Sequence, residues 1–214
     1  MRLRKKPWVK DQIVTYEHLL VKDPEQYYGR WNERFDNNHP IHIELGTGKG
    51  NFITTLAQRN PECNFIGVEL REEVLIQAVK KANQMNLPNL AFLWLDVVKI
   101  DEVFANGEIS QIYLNFSDPW PKSGHAKRRL THRGFLEKYK SILGVGKEIH
   151  LKTDNEKLFE FSLNEFSDSG LRLKNITFDL HHSRYEEAKS VMTEYEQKFV
   201  NLGMKIYRVE AIVQ

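Results

Sequence analysis

Three glycines in five residues, Gly46-Thr47-Gly48-Lys49-Gly50, follow directly on the apolar run Ile41-His42-Ile43-Glu44-Leu45. The run reads as a buried strand. The glycines behind it let the backbone turn sharply and approach a ligand without a Cβ in the way. A helix comes next, with Phe52, Ile53, Leu56 and Ala57 on one face until Asn60-Pro61 stops it. Strand, glycine turn and helix open a doubly wound sheet, which binds its ligands at the carboxyl ends of its strands.

The alternation continues along the chain. Further strands are expected at 64–70, 90–95, 111–116 and 147–152, with two more at 171–180 and 204–213. Between them lie a helix carrying Val74, Ile76, Ala78, Val79 and Ala82, a short helical segment near 101–105, and helices at 131–143 and 155–167. The segment 184–201 separates the last two strands. The pattern predicts an α/β, doubly wound, mostly parallel seven-stranded sheet with an antiparallel last strand at its edge. One domain over residues 1–214 suits a chain of this length, with 1–40 as a basic N-terminal arm or extension.

Charge is unevenly placed. The net of +2 argues against a uniformly basic nucleic-acid binder, but ten of the 31 Lys and Arg fall in two acid-free windows. Residues 1–10 hold Arg2, Arg4, Lys5, Lys6 and Lys10, and residues 119–136 hold Lys122, Lys127, Arg128, Arg129 and Arg133. The remaining 21 basic residues face 29 acidic ones, so the body is acidic and a polyanion belongs at the windows. The single Cys63 allows no internal disulfide and no cysteine-based zinc site, and no His-Glu-x-x-His spacing appears. The apolar run 90–95 falls far short of the roughly 20 residues that span a bilayer. The expectation is a cytoplasmic protein without metal or membrane partner, working as a monomer or a homodimer.

Three acids mark the expected crevice: Glu44 at the first strand end, Glu69 at the second and Asp96 at the third. Glu69 is placed to accept from both hydroxyls of a ribose, and Asp96 from an adenine amino group. A dinucleotide fingerprint would need glycine where Asn51 stands, which opposes an NAD-dependent oxidoreductase. The phosphate-loop pattern fails too, because Gly50 rather than Ser or Thr follows Lys49. A pyrophosphate would meet Glu44 with like charge, whereas an ammonium and a sulfonium would be attracted. S-adenosylmethionine (SAM) carries both.

After the fourth strand comes Asn115-Phe116-Ser117-Asp118-Pro119-Trp120-Pro121-Lys122. Its prolines fix φ and stiffen the loop, so Asp118 and Trp120 are held in place, an arrangement suited to an unstacked base. The basic stretch behind it abuts the expected crevice, where phosphate contact is the natural role. The arm, with Trp8 among its basic residues, can order on RNA.

Together, Glu44-x-Gly-x-Gly-x-Gly, Glu69, Asp96 and Phe-Ser-Asp-Pro-Trp-Pro-Lys closely resemble the bacterial tRNA (guanine-N7-)-methyltransferases. Lys152-Thr153-Asp154 and Thr193-Glu194-Tyr195-Glu196 match two further motifs, and the likeness covers nearly everything from about residue 40 onward. The resemblance implies a class I methyltransferase fold and methylation of the variable-loop guanine of tRNA, position 46. It implies cofactor contacts at Glu44, Gly46, Gly48, Gly50, Glu69, Asp96 and Asp118, with Asp118 as the active-site residue. Substrate contacts carry over to Lys122, Asp154, Thr193, Glu194, Tyr195 and Glu196. RNA contacts carry over to Gly124, His125, Ala126, Lys127, Arg128 and Arg129. Asp154 and Glu196 are both candidates to accept from the guanine edge. A catalytically silent RNA-binding protein on the same fold is the rival of another class, opposed by the intact set of acids.

Overall fold

The computed structural model describes residues 14–214. Of the arm expected over residues 1–40, the basic window 1–10 lies outside the described residues. In chain order the elements are β1 (Leu20–Val21), α1 (Trp31–Phe35), β2 (Ile41–Leu45), α2 (Asn51–Arg59), β3 (Asn64–Glu69), α3 (Glu72–Met85), β4 (Leu90–Trp94) and α4 (Ile100–Val103). They continue as β5 (Gln111–Asn115), α5 (Arg133–Leu143), β6 (Glu148–Thr153), α6 (Glu156–Asp168), β7 (Arg172–Thr177), α7 (Glu186–Ser190), α8 (Glu194–Asn201) and β8 (Tyr207–Ile212). Local chemistry sets the helix starts. His132 caps α5 by accepting from the Gly134 amide at 3.1 Å, and Asn155 caps α6 by accepting from the Leu158 amide at 2.9 Å.

The sheet has eight strands in the order β1-β4-β3-β2-β5-β6-β8-β7, with only β8 antiparallel to its neighbours. Two expectations are corrected. The sheet gains a strand, because Leu20 and Val21 pair parallel with Phe92 and Leu93 of β4. The last strand is antiparallel but does not form the edge. It inserts between β6 and β7, where Val209 and Ala211 are fully buried, while β7 alternates exposed and half-buried residues as an edge strand does.

The described part of the 1–40 segment is also more than an arm. Trp31 is fully buried, packs at a tilt against Phe104 and Tyr27, and donates from Nε1 to the Val103 carbonyl at 3.1 Å. Burying an aromatic ring of this size with its N–H satisfied ties the segment to the core.

Two apolar layers cover the sheet. Ile43, Leu45, Ile112, Leu114, Ile149 and Leu151 pack against α5 and α6 on one face. On the other, Phe65, Leu90 and Phe92 pack against Ile53, Leu75, Ala78 and Val79 of α2 and α3. Strand alternation turns a second, polar set of residues from β2, β5, β6 and β8 toward that face, beyond the cover of α2 and α3. His42, Gln111, Tyr113, His150, Lys152 and Arg208 are among the side chains lining a cavity of about 650 Å³ there, roofed by the 184–191 segment. Burial pulls the His42 imidazole down to about 4, so that ring is neutral at physiological pH. Among the described residues no helix is long and apolar enough to cross a membrane.

Candidate active site

The glycine turn sits at the carboxyl end of β2, beside the switch point where β2 pairs with β3 on one side and β5 on the other. The amides of Gly46 and Thr47 both donate to the Val68 carbonyl, at 2.8 and 3.0 Å, which folds the turn onto β3. Gly46 and Gly48 have φ of +80° and +59°, and a Cβ on Gly46 would meet nothing within 4 Å. These two positions keep the backbone open to the crevice. Gly50 differs. Its φ is +79°, and a Cβ there would stand 2.6 Å from the Ala78 Cβ and 3.0 Å from the Ala78 Cα. Gly50 therefore lets α2 close against α3. Gly50→Ala is expected to lose about 3 kcal/mol, combining left-handed strain with overpacking. In a chain of this size that lowers the thermal midpoint by about 6–12 °C. An unchanged midpoint would refute the close approach.

The acids hold distinct environments. Glu44 is buried, accepting from Thr47 Oγ1 at 2.7 Å and from Asn115 Nδ2 at 2.8 Å. Burial outweighs both bonds, and the carboxyl is pushed up to about 7. Such a group is poised to take a cation. Glu69 accepts from the Gly48 amide at 3.1 Å and the Arg71 amide at 2.9 Å, so it spans from the glycine turn to the start of α3. Asp96 is exposed after β4, with Oδ1 accepting from the Val98 amide at 3.0 Å.

The loop after β5 is held under strain. Phe116 and Trp120 have φ of +51° and +41°, a left-handed conformation that costs a non-glycine residue about 1–3 kcal/mol. Asp118 lies exposed between them, next to Pro119, and Ser117 Oγ is buried without a hydrogen-bond partner among the described residues. The basic stretch forms a 3₁₀ turn, Ser123–Arg128. Lys122, Gly124, Lys127 and Arg128 are exposed, with Arg128 lying 4.9 Å over the Trp120 ring and His125 edge-on to it at 5.7 Å. Ala126 is half-buried. Arg129 is half-buried too, and donates from Nε to the Pro119 carbonyl and from Nη2 to the Trp120 carbonyl.

The 190–201 segment packs against α2 and α3 and forms the far wall beside the glycine turn. Asn51 Nδ2 donates to the Met192 carbonyl at 3.1 Å, and Lys81 pairs with Glu194 at 2.8 Å. Thr193 caps α8, its Oγ1 accepting from the Glu196 amide at 2.9 Å. Tyr195 is 64% exposed and its ring lies 6.0 Å from that of Phe199, which in turn stacks on Phe116. Glu196 is fully buried, with its carboxylate taken by Lys152 Nζ at 3.1 and 3.2 Å and by His181 Nε2 at 3.0 Å. Glu196, a candidate for the guanine edge in the sequence, is thus engaged with Lys152 and His181 in this structure. Lys152 also donates to the carbonyls of Ala188 and Val191, at 2.6 and 3.1 Å. Asp154, after β6, is half-buried.

Comparison with known proteins bears on this geometry. A family profile described as "Putative methyltransferase" matches residues 38–209. A tRNA (guanine-N(7)-)-methyltransferase of Brevibacillus brevis is 54% identical over 211 residues, covering 99% of this chain and 98% of its own. One from Clostridioides difficile is 53% identical over 212 residues, with 99% and 98% coverage. The chain belongs to the tRNA (guanine-N(7)-)-methyltransferase family. Solved structures share its fold at low identity. The 16S rRNA methyltransferase KamB superposes with a TM-score of 0.65 at 12% identity, covering 87% of this chain and 93% of its own. A SAM-dependent methyltransferase from Aquifex aeolicus gives 0.58 at 15%, covering 99% and 100%.

In this tRNA (guanine-N(7)-)-methyltransferase family member, the structure gives a part in the site to several residues that the sequence reading assigned none. Asn115 and Thr47 hold the Glu44 carboxylate, and Lys81 and Asn51 anchor the far wall. Asn115 was within reach of the sequence, since it sits two residues beyond Tyr113 on the strand face that Glu44 shares. Lys81 and His181 carry no local signal, because their partners stand over 100 and 15 residues away. One group among the described residues has metal-ligating proximity, Glu148, His150 and Glu210. Arg208 pairs with Glu210 and Lys174 lies 3.7 Å from it, a setting that repels a cation.

Proposed function

We propose that the chain transfers a methyl group from SAM to N7 of guanine 46, in the variable loop of tRNA. The observation that carries this reading is the placement of Glu44, Glu69 and Asp96 at or just past the carboxyl ends of the neighbouring parallel strands β2, β3 and β4, with the strained Asp118 loop following β5 on the other side of β2. Glu44 takes the ammonium of the donor, Glu69 the ribose hydroxyls and Asp96 the adenine amino group, with Gly46 and Gly48 leaving room for close approach. Gly50 contributes by shaping the turn. Family relatives bearing the tRNA (guanine-N(7)-)-methyltransferase name support the substrate class. One sheet running through the described residues supports reading 1–214 as one domain. Asn51, engaged with the far wall, stands where a dinucleotide fingerprint needs glycine, so an oxidoreductase reading is not favoured.

Guanine N7 presents an in-plane lone pair and carries no proton, so no general base is needed. The lone pair attacks the sulfonium methyl in line, the carbon–sulfur bond breaks, and positive charge passes from sulfur to the purine. Asp118 stabilises that charge as it develops. Asp154 accepts from N1–H and N2–H on the guanine edge, and Lys122 reaches toward O6. The exposed Tyr195 ring, backed by Phe199 and Phe116, offers a face on which an unstacked base can lie. Thr193 and Glu194 hold the start of α8 at that face. Gly124, His125, Lys127 and Arg128 follow the phosphates.

Because burial raises Glu44 to about 7, donor binding is coupled to proton release. The sign follows from the raised value. Glu44 favours the free fold when protonated, and that contribution is lost as pH rises through 7, where the ionised carboxylate becomes available to the ammonium. Affinity for SAM is expected to rise about tenfold per pH unit up to about 7 and then level off. In Glu44→Gln it should be weak and flat with pH. Titration calorimetry at several pH values checks this, and a wild-type affinity independent of pH between 5 and 7 would remove Glu44 from the ammonium site.

The position is tested by methylating an unmodified tRNA transcript and cleaving the chain chemically at 7-methylguanosine. One scission at position 46 is expected, and scission elsewhere overturns the assignment.

A further inference from the structure

We infer that Arg129 is a positioning residue for the Asp118 loop and not a phosphate contact, although it closes a run of basic residues. The inference rests on the function proposed above. Arg129 Nε donates to the Pro119 carbonyl at 3.1 Å, and Nη2 donates to the Trp120 carbonyl at 3.0 Å. The guanidinium lies 4.3 Å from the ring centroid of Phe161 on α6. The two carbonyls bracket Trp120, which stands at φ +41°. A left-handed tryptophan persists only where its surroundings over-determine it. Pro119 fixes one side of this peptide through its ring, and Arg129 fixes the other through two hydrogen bonds on successive carbonyls.

Asp118 immediately precedes the clamped pair, so its place in the crevice depends on that grip. Lys127 and Arg128, two and one residues before Arg129, are exposed; Arg128 lies over the Trp120 ring, but neither side chain bonds the Pro119 or Trp120 carbonyl. The run therefore divides: Lys127 and Arg128 face the polyanion, and Arg129 turns back into the protein. The chemistry requires arginine. A planar fork meets two carbonyls at once while its face covers an aromatic ring, which a lysine ammonium does not reproduce.

The test compares Arg129→Ala, Arg129→Lys and the double variant Lys127→Ala/Arg128→Ala with the wild type. Both Arg129 variants are expected to lose about 100-fold in kcat while KM for tRNA stays within about threefold. Their salt dependence of tRNA binding should match wild type, whereas the double variant should lower the slope by about two. Millimolar guanidinium should restore part of the turnover of Arg129→Ala, and equal sodium chloride should not. Wild-type kcat in Arg129→Ala, with a slope lower by about one, would overturn the inference and make Arg129 a phosphate contact.

Protein carrying 5-fluorotryptophan supplies a readout independent of activity. The Trp120 resonance should shift in both Arg129 variants, while that of the buried Trp31 stays in place. If both resonances move in both variants, Arg129 serves the fold at large and the inference fails. If wild type forms no 7-methylguanosine, the proposed function fails by itself, and the Trp120 and salt-slope readings still judge Arg129.

Discussion

Asp118→Ala is expected to lower methyl transfer about 100-fold or more while the protein remains folded, the scale set by losing one preorganised electrostatic group from a transition state. The side chain is exposed, so its removal opens no cavity and leaves no buried partner behind. In the proposed mechanism, what it takes away is negative charge at the point where the purine becomes cationic. Asp118→Asn keeps the shape and removes the charge, so it should lose nearly as much. Single-turnover rates with saturating donor and tRNA check both, alongside thermal midpoints within about 2 °C of wild type. Wild-type turnover in Asp118→Ala would end its assigned role.

Glu196→Ala should have the largest effect on stability. The carboxylate is fully buried and pairs directly with Lys152, whose ammonium is itself buried and held below the ordinary lysine value by desolvation, against the pull of Glu196. Removing one partner of such a pair strands the other, at a cost of about 3–5 kcal/mol. Thermal or urea unfolding should register that loss. Replacing both, as in Lys152→Met/Glu196→Leu, should recover a good part of it, because the stranded charge goes too. A Glu196→Ala variant within about 0.5 kcal/mol of wild type would show that the pair carries no such weight. The cluster ties β6 to α8 and to the 188–191 roof. Its loss should also disorder the wall bearing Thr193 and Tyr195 and raise KM for tRNA.

The pair shows where sequence reading stops. Thr193-x-x-Glu196 announces a helix start, and Thr193 does cap α8. Whether the acid at the third helical position faces a base or the interior depends on Lys152 and His181, which chain order places far away. The same limit applies to Arg129, since a basic run gives no sign of which member turns inward. Periodicity was a better guide to the sheet. Alternation along β2, β5 and β6 separates Ile43, Ile112 and Ile149 from the polar side chains of the opposite face, and the strand ends carrying Glu44, Glu69 and Asp96 followed from it. The two-residue β1 was not legible, because so short a strand exists only through its pairing with β4. Nor was the place of β8, since its Tyr-Arg-Val-Glu alternation suits an edge. Arg208 and Glu210 pair with each other on one face and let the strand pass inside.

The most direct measurement incubates the protein with methyl-labelled SAM and unmodified tRNA, digests the RNA, and separates its nucleosides. The account predicts label in 7-methylguanosine alone. Label in any other nucleoside, or none in the RNA, would contradict it.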